Sequence, residues 1–173
     1  MIVAITGTPG TGKSTVCREL ARRGFTVVDA ARLASEKGLS VRSKRPGSPA
    51  VVDIDRLRRV RLPKADLVFV YSHFSHLLKS DITIVLRCSP AILKIRLQRR
   101  KWRKEKVMEN VEAEAIDLIT VEATQRRKKV FEVDTTSIDA GESARQILEI
   151  VKGSVKGHEP GHIDWSEEIM SWF

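Results

Sequence analysis

No stretch of this sequence approaches the roughly 20 consecutive apolar residues that a membrane-spanning helix needs, which argues against a helical span. The beginning of the chain also lacks the basic stretch, apolar stretch and cleavage site of a secretory signal, so a cytoplasmic setting is expected. Cysteine is scarce: Cys17 and Cys88 are the only two, which gives no disulfide framework. Both read as small buried residues rather than ligands or nucleophiles, Cys17 on a helix and Cys88 at the end of a strand. Internal repeats and low-complexity segments are absent as well. The 173 residues, 42% hydrophobic and 31% charged, therefore suit one globular domain able to bury a core without staples.

What is there is concentrated near the start. Gly7-Thr8-Pro9-Gly10-Thr11-Gly12-Lys13-Ser14 fits G-x-x-x-x-G-K-[ST], the phosphate-binding loop. Ile2 to Ile5 before it is a short apolar run, as a buried parallel strand should be. After it, Val16 and Leu20 stand four apart among polar residues, as on a helix packed by one face. Strand, glycine turn and helix are the context in which backbone N–H groups crowd round a phosphate and the helix dipole favours its charge. Lys13 can reach the β- and γ-phosphates of a nucleotide, and the Ser14 hydroxyl can ligate Mg²⁺.

Further along, Thr26 to Val28 reads as a strand ending in Asp29, and Ala30 to Lys37 as a short helix closed by Gly38. Ser40 to Pro49 is a basic loop containing Arg42, Lys44 and Arg45, followed by Pro46-Gly47-Ser48-Pro49, which forbids regular structure. Asp53 or Asp55 caps a helix running to Val60. Leu67 to Val70 and Ile82 to Leu86 are continuous apolar strands, and Pro90 opens a helix with Ile92, Leu93 and Leu97 on one face. The basic cluster Arg99 to Lys104 interrupts that pattern. One helix is then expected from about Glu105 through Glu122, with Met108, Val111, Ala115, Leu118 and Ile119 on its apolar side. Lys129 to Val133 is a fifth strand and Ser143 to Val151 a further helix. After a linker at Gly157 to His162, Asp164 is placed as N-cap of a last helix, with Glu167 completing a capping box. Its stripe of Trp165, Ile169 and Trp172 is expected to dock on the domain, with partner binding as the alternative.

Strands alternating with helices imply an α/β doubly wound parallel sheet of five strands. Ligands bind such sheets at the carboxyl ends of the strands, which puts Asp29, Tyr71-Ser72-His73 and Arg87 on the rim beside the loop. The charge balance is basic, with 31 Lys+Arg against 22 Asp+Glu and a net charge of +9. That surface suits a nucleotide's phosphates or a larger polyanion such as RNA, although for any one Lys or Arg simple solvation is the plainer reading.

These residues together resemble a known family, the nucleoside monophosphate kinases of the adenylate kinase isoenzyme six group. The likeness rests on Thr6 to Thr15 with its Thr-Pro-Gly, on the short basic lid Arg99 to Lys106, and on Asn110-Val111-Glu112-Ala113-Glu114 directly behind it. Ile163 to Glu168 is similar in character to archaeal members. The resemblance implies a P-loop NTPase fold over residues 1–155, with an acceptor-binding region at about 30–50 and a lid at about 99–109. Residues 156–173 would form a linker and a short helix packed on that domain.

It further implies reversible transfer of the ATP γ-phosphate to a nucleoside monophosphate, AMP above others, with a slower ATPase and Mg²⁺ as cofactor. Gly10, Gly12, Lys13, Ser14 and Thr15 would hold the ATP phosphates, Ser14 the metal, and Arg100 would match the lid arginine. It implies a second role as well, in late small-subunit maturation and rRNA processing, with the universal small-subunit ribosomal platform protein eleven, the small subunit and its rRNA as partners. A purely metabolic kinase is one alternative, and a small-molecule kinase of shikimate or dephospho-coenzyme A type another. The chain departs from the family at the third strand's end, where Tyr71 stands in place of the acidic residue of an Asp-x-His arrangement. Asp29 can substitute for it, and His73, which is retained, can shuttle a proton or orient water. His76 reads as a surface or packing residue. The basic acceptor loop leaves monophosphate choice open.

Overall fold

The computed structural model describes residues 1–41, 51–127 and 129–172. The basic loop Arg42, Lys44 and Arg45, read above as available to an acceptor phosphate, lies outside them. The chain runs β1 (Ile2–Thr6), α1 (Lys13–Arg22), β2 (Thr26–Asp29), α2 (Ala30–Glu36), β3 (Ser40–Val41), β4 (Val51–Val52), α3 (Ile54–Leu57) and β5 (Val68–Tyr71). It continues through β6 (Ile82–Arg87), α4 (Pro90–Arg99), α5 (Lys104–Ala115), α6 (Leu118–Arg126), β7 (Val130–Asp134), α7 (Ala140–Val151) and α8 (Ser166–Met170).

Five strands form a parallel sheet in the order β2-β5-β1-β6-β7. This is the doubly wound sheet expected from the alternation of strands and helices. β1 lies at its centre, so the loop that leaves its carboxyl end emerges where the strand order reverses. Most strand positions are apolar because both faces are covered. Val3, Ile5, Phe69, Ile84 and Leu86 face α1 and α7, packing with Val16, Leu20, Ile147 and Ile150. Val68 and Val70 point the other way, into a cluster with Ala34, Leu57 and Leu78, while Val85 meets Ala123 of α6. Both cysteines are buried, as expected.

Local signals place most boundaries. Asp29 caps α2 by accepting from the Ala31 and Arg32 amides, Asp53 caps α3, and Ser89 with Pro90 starts α4. α3 is shorter than the helix expected through Val60. The helix expected from Glu105 through Glu122 is two helices. Asp117 takes a left-handed φ of 56° between them, and its carboxylate bonds Arg87. The buried side of α5 is Val107, Asn110, Val111 and Glu114, not the Met108 and Ala115 side.

The tail differs too. Asp164 is not the N-cap of α8. Its side chain accepts from Ser166, the first residue of α8, from one position before the cap, which Trp165 occupies. Trp172 is exposed, so the aromatic stripe is not docked as a whole. α8 is held through Glu168, which accepts from the Ser89 hydroxyl at 2.7 Å and the Ala91 amide at 2.5 Å. These contacts place a carboxylate at the N-terminus of α4, where the helix dipole favours it.

Candidate active site

The turn between β1 and α1 has a shape that only glycine permits at two positions. Gly7 has φ +132°, and a Cβ there would come 2.3 Å from the Leu86 carbonyl oxygen. Gly10 has φ +101°, and a Cβ would meet Leu93 Cδ1 at 2.6 Å. The loop is thus wedged between β6 and α4. Thr11 donates back to the Thr8 carbonyl through both its amide and its hydroxyl. Gly12 is the N-cap of α1, and no side chain caps it. Among the described residues none accepts from the amides of Gly10, Gly12, Lys13 or Ser14. Unpaired amides at a helix N-terminus are the donor set that an anion requires.

Lys13 folds back over the loop and donates to the carbonyls of Gly7 (2.6 Å) and Thr8 (2.9 Å). Desolvation of its ammonium pushes the pKa down to about 7, opposed by the nearby Glu114 carboxylate and reinforced by Arg100. Ser14 and Thr15 begin α1 with their side chains exposed.

Two cavities meet at this loop. One, about 210 Å³, is lined by Lys13, Ser14, Asp29, His73 and Arg100 together with loop residues. The other, about 370 Å³, is lined by Arg96, Arg99, Arg100, Thr135 and Asp139. Gly10, Gly12 and Arg100 border both. The site residues read from the sequence are thereby brought together: Thr15 lines the second cavity and the others the first. Arg100 arrives from the four-residue link between α4 and α5, a part of the segment read as a lid, whose stretch at 104–109 is the start of α5.

Asp29 and Tyr71 are register neighbours on β2 and β5, and the Tyr71 hydroxyl donates to Asp29 Oδ2 at 3.0 Å. Oδ1 is committed to capping α2. Desolvation, with Asp29 beside it, pushes the Tyr71 pKa up to about 12. His73 is exposed on the cleft wall; partial desolvation among its neighbours, then the charge of Lys13, lowers its pKa. His76 is no surface residue. It is 1% exposed, its Nδ1 lies 2.9 Å from the Thr6 hydroxyl, and its Nε2 lies 3.0 Å from Glu122.

Among the described residues no group of three or more His, Cys, Asp and Glu side chains could cage a metal. The donors present suit Mg²⁺ in a different way. A hydroxyl at Ser14 and a carboxylate at Asp29 border the same cavity as the loop, and Mg²⁺ is ordinarily held by one or two such groups plus phosphate oxygens and water.

Arg87 is not the rim residue expected from its place at a strand end. It ends β6, but it is 1% exposed and does not reach the rim. Its guanidinium donates to Glu114 (2.7 Å), to Glu132 (2.5 Å) and to Asp117. Burial disfavours its charge, yet these carboxylates outweigh burial and hold its pKa above the ordinary value. The tail closes over this cluster. The Gly161 amide donates to Glu132, and Trp165 sets its ring 5.8 Å from the Arg87 guanidinium. No local sequence signal marks Thr135, whose hydroxyl contacts the carbonyls of Thr11 (2.9 Å) and Arg87 (2.8 Å), bracing the loop against β6.

Known proteins agree with this architecture. A family model described as an AAA domain matches residues 3–117. A protein of Archaeoglobus fulgidus named "Putative adenylate kinase" is 41% identical over 172 residues, covering 98% of this chain and 94% of its own length. One of the same name from Thermococcus kodakarensis is 41% identical over 170 residues, covering 96% and 94%. Among solved structures, a shikimate kinase from Acinetobacter baumannii in complex with shikimate superposes with a TM-score of 0.62 at 15% identity, covering 88% of this chain and 93% of that one. A gluconokinase from Sinorhizobium meliloti gives 0.56 at 16%, covering 89% and 93%. These two share the fold. By the archaeal matches, over nearly its whole length, this chain belongs to the P-loop kinase family of those archaeal proteins.

Proposed function

We propose that this protein transfers the γ-phosphate of ATP to a nucleoside monophosphate, AMP before others, and hydrolyses ATP more slowly. One observation carries the reading: the phosphate-binding loop stands where two cavities meet, with Arg100 bordering both. A transfer between two nucleotides needs such a meeting point. Hydrolysis alone does not.

Phosphoryl transfer asks chiefly for positioning and neutralised charge. The free amides of Gly10, Gly12, Lys13 and Ser14 receive the donor's β-phosphate, and Lys13 exchanges its carbonyl contacts for phosphate oxygens. Arg100 approaches the transferred group from the α4–α5 link, adding charge while closing out water. Ser14 would hold Mg²⁺ and Asp29 would orient its water, the ion supplying positive charge against that developing on the phosphates. His73, whose pKa desolvation and then the charge of Lys13 push below the ordinary imidazole value, accepts or relays the acceptor's proton. Residues 30–50 bind the acceptor, and residues 99–109 act as the lid of a kinase domain spanning 1–155, on which 156–173 packs. A cytoplasmic setting suits such an enzyme.

Purified protein supplied with Mg²⁺, ATP and AMP should form ADP far faster than it hydrolyses ATP alone. Equal rates with and without AMP would refute the transferase reading.

A second reading has its own support. Tyr71 stands where an acidic residue would orient the attacking group, and the net charge is +9. Both suit a slow ATP-driven switch working beside RNA, during small-subunit maturation and in contact with platform protein eleven. Co-purification of that ribosomal protein with the chain, sensitive to nucleotide, tests it.

A further inference from the structure

The phosphate-binding loop is gripped from beneath by a carboxylate that the reaction scheme does not use. Glu114, in the last turn of α5, is 2% exposed. Its Oε2 accepts from the Thr8 hydroxyl at 2.5 Å. Its Oε1 accepts from Arg87 Nε at 2.7 Å and from the Cys88 amide at 3.2 Å. Thr8 is the loop residue whose carbonyl receives Lys13, the Thr11 amide and the Thr11 hydroxyl. Whatever fixes the Thr8 side chain therefore fixes the carbonyl around which the loop and its lysine are arranged.

The same helical hairpin touches the loop elsewhere. Val107 and Val111 of α5 pack with Leu93 and Leu97 of α4, and those two leucines abut Gly10. The link at the hairpin's tip carries Arg100. The hairpin thus meets the loop at its mouth, its flank and its base.

We infer that Glu114 is a positioning residue of the phosphate-binding loop, acting through the Thr8 hydroxyl to hold the loop in its anion-binding shape and to tie that shape to the hairpin that carries Arg100. This rests on the reading of the loop as a nucleotide site. The competing role is purely structural: Glu114 as a counterion for Arg87, with Thr8 an incidental neighbour.

A double-variant cycle separates the two, using the Mg²⁺ complex of ADP as the calorimetric probe. Thr8→Val should weaken ADP binding about tenfold, the scale of a lost hydrogen bond to a charged group, in protein that is still folded at the assay temperature. Thr8→Ser, which keeps the hydroxyl, should recover most of the loss. In a Glu114→Gln background Thr8→Val should cost little more, because the two groups act as one unit. An ADP affinity indifferent to Thr8→Val, or losses that multiply in the double variant, would overturn the inference. Thr8→Val decides the matter alone should Glu114→Gln fail to fold. Absence of ADP binding by the wild-type chain would instead overturn the reading of the site, and the inference with it.

Discussion

The Tyr71 hydroxyl donates to Asp29 Oδ2 at 3.0 Å, joining the ends of two neighbouring parallel strands at the wall of the phosphate cavity. The bond engages Oδ2, while the other oxygen caps α2. Tyr71 is the only tyrosine in the chain, so phenolate absorbance follows it alone. The native protein should titrate near pH 12, whereas the denatured chain should titrate near the ordinary value of about 10. Between those values the unfolded state gives up its proton and the folded state does not. Stability should therefore fall as pH rises from about 10 to about 12. A native midpoint at the ordinary value would mean that the pair is not formed in solution.

Removing the hydroxyl is the companion experiment. Tyr71→Phe should cost about 1 kcal/mol in urea unfolding, the scale of one partly buried hydrogen bond. Asp29→Asn in the same background should cost little more through that contact, which a cycle of unfolding curves would reveal.

Gly10 tests the loop's packing against the α4–α5 hairpin. Gly10→Ala combines a left-handed φ with a Cβ driven into Leu93 and Leu97, and should destabilise by about 2–3 kcal/mol while weakening nucleotide binding. Gly24→Ala is the control: φ is +90° but nothing lies within 4 Å, so only the backbone cost of about 1 kcal/mol remains. Equal losses would show that steric contact with the leucines plays no part.

Arg87 should prove to be a stability residue. Arg87→Met removes the cation shared by Glu114, Glu132 and Asp117 and leaves buried carboxylates uncompensated, at a cost of about 3–5 kcal/mol. Denaturant unfolding measures it; a loss below about 1 kcal/mol would mean the cluster is solvated.

Most of the sheet was legible because buried parallel strands are runs of Val, Ile and Phe, which few other elements resemble. The loop was legible because its glycines, lysine and serine sit at a fixed spacing. What escaped is long-range. The strand-end rule put Arg87 on the rim; nothing local tells that carboxylates from positions 114, 117 and 132 converge on it. The same convergence explains the break at Asp117, where a helical pattern continues in sequence but the chain turns to deliver a carboxylate. Glu114 falls within the helix behind the lid, yet its contact with Thr8 spans 106 residues and leaves no periodic trace. His73 and His76 look alike in sequence, and only the fold separates an exposed cleft residue from a buried one bonded to Thr6 and Glu122.

Calorimetric titration of the wild-type chain and of Lys13→Ala with ATP and Mg²⁺ tests the central claim most directly. The wild type should bind at one saturable site, and Lys13→Ala, still folded, should bind about a hundredfold more weakly, because one buried ammonium–phosphate contact is worth roughly 2–4 kcal/mol. A wild-type chain that gives no heat of association, or a Lys13→Ala variant of equal affinity, would contradict it.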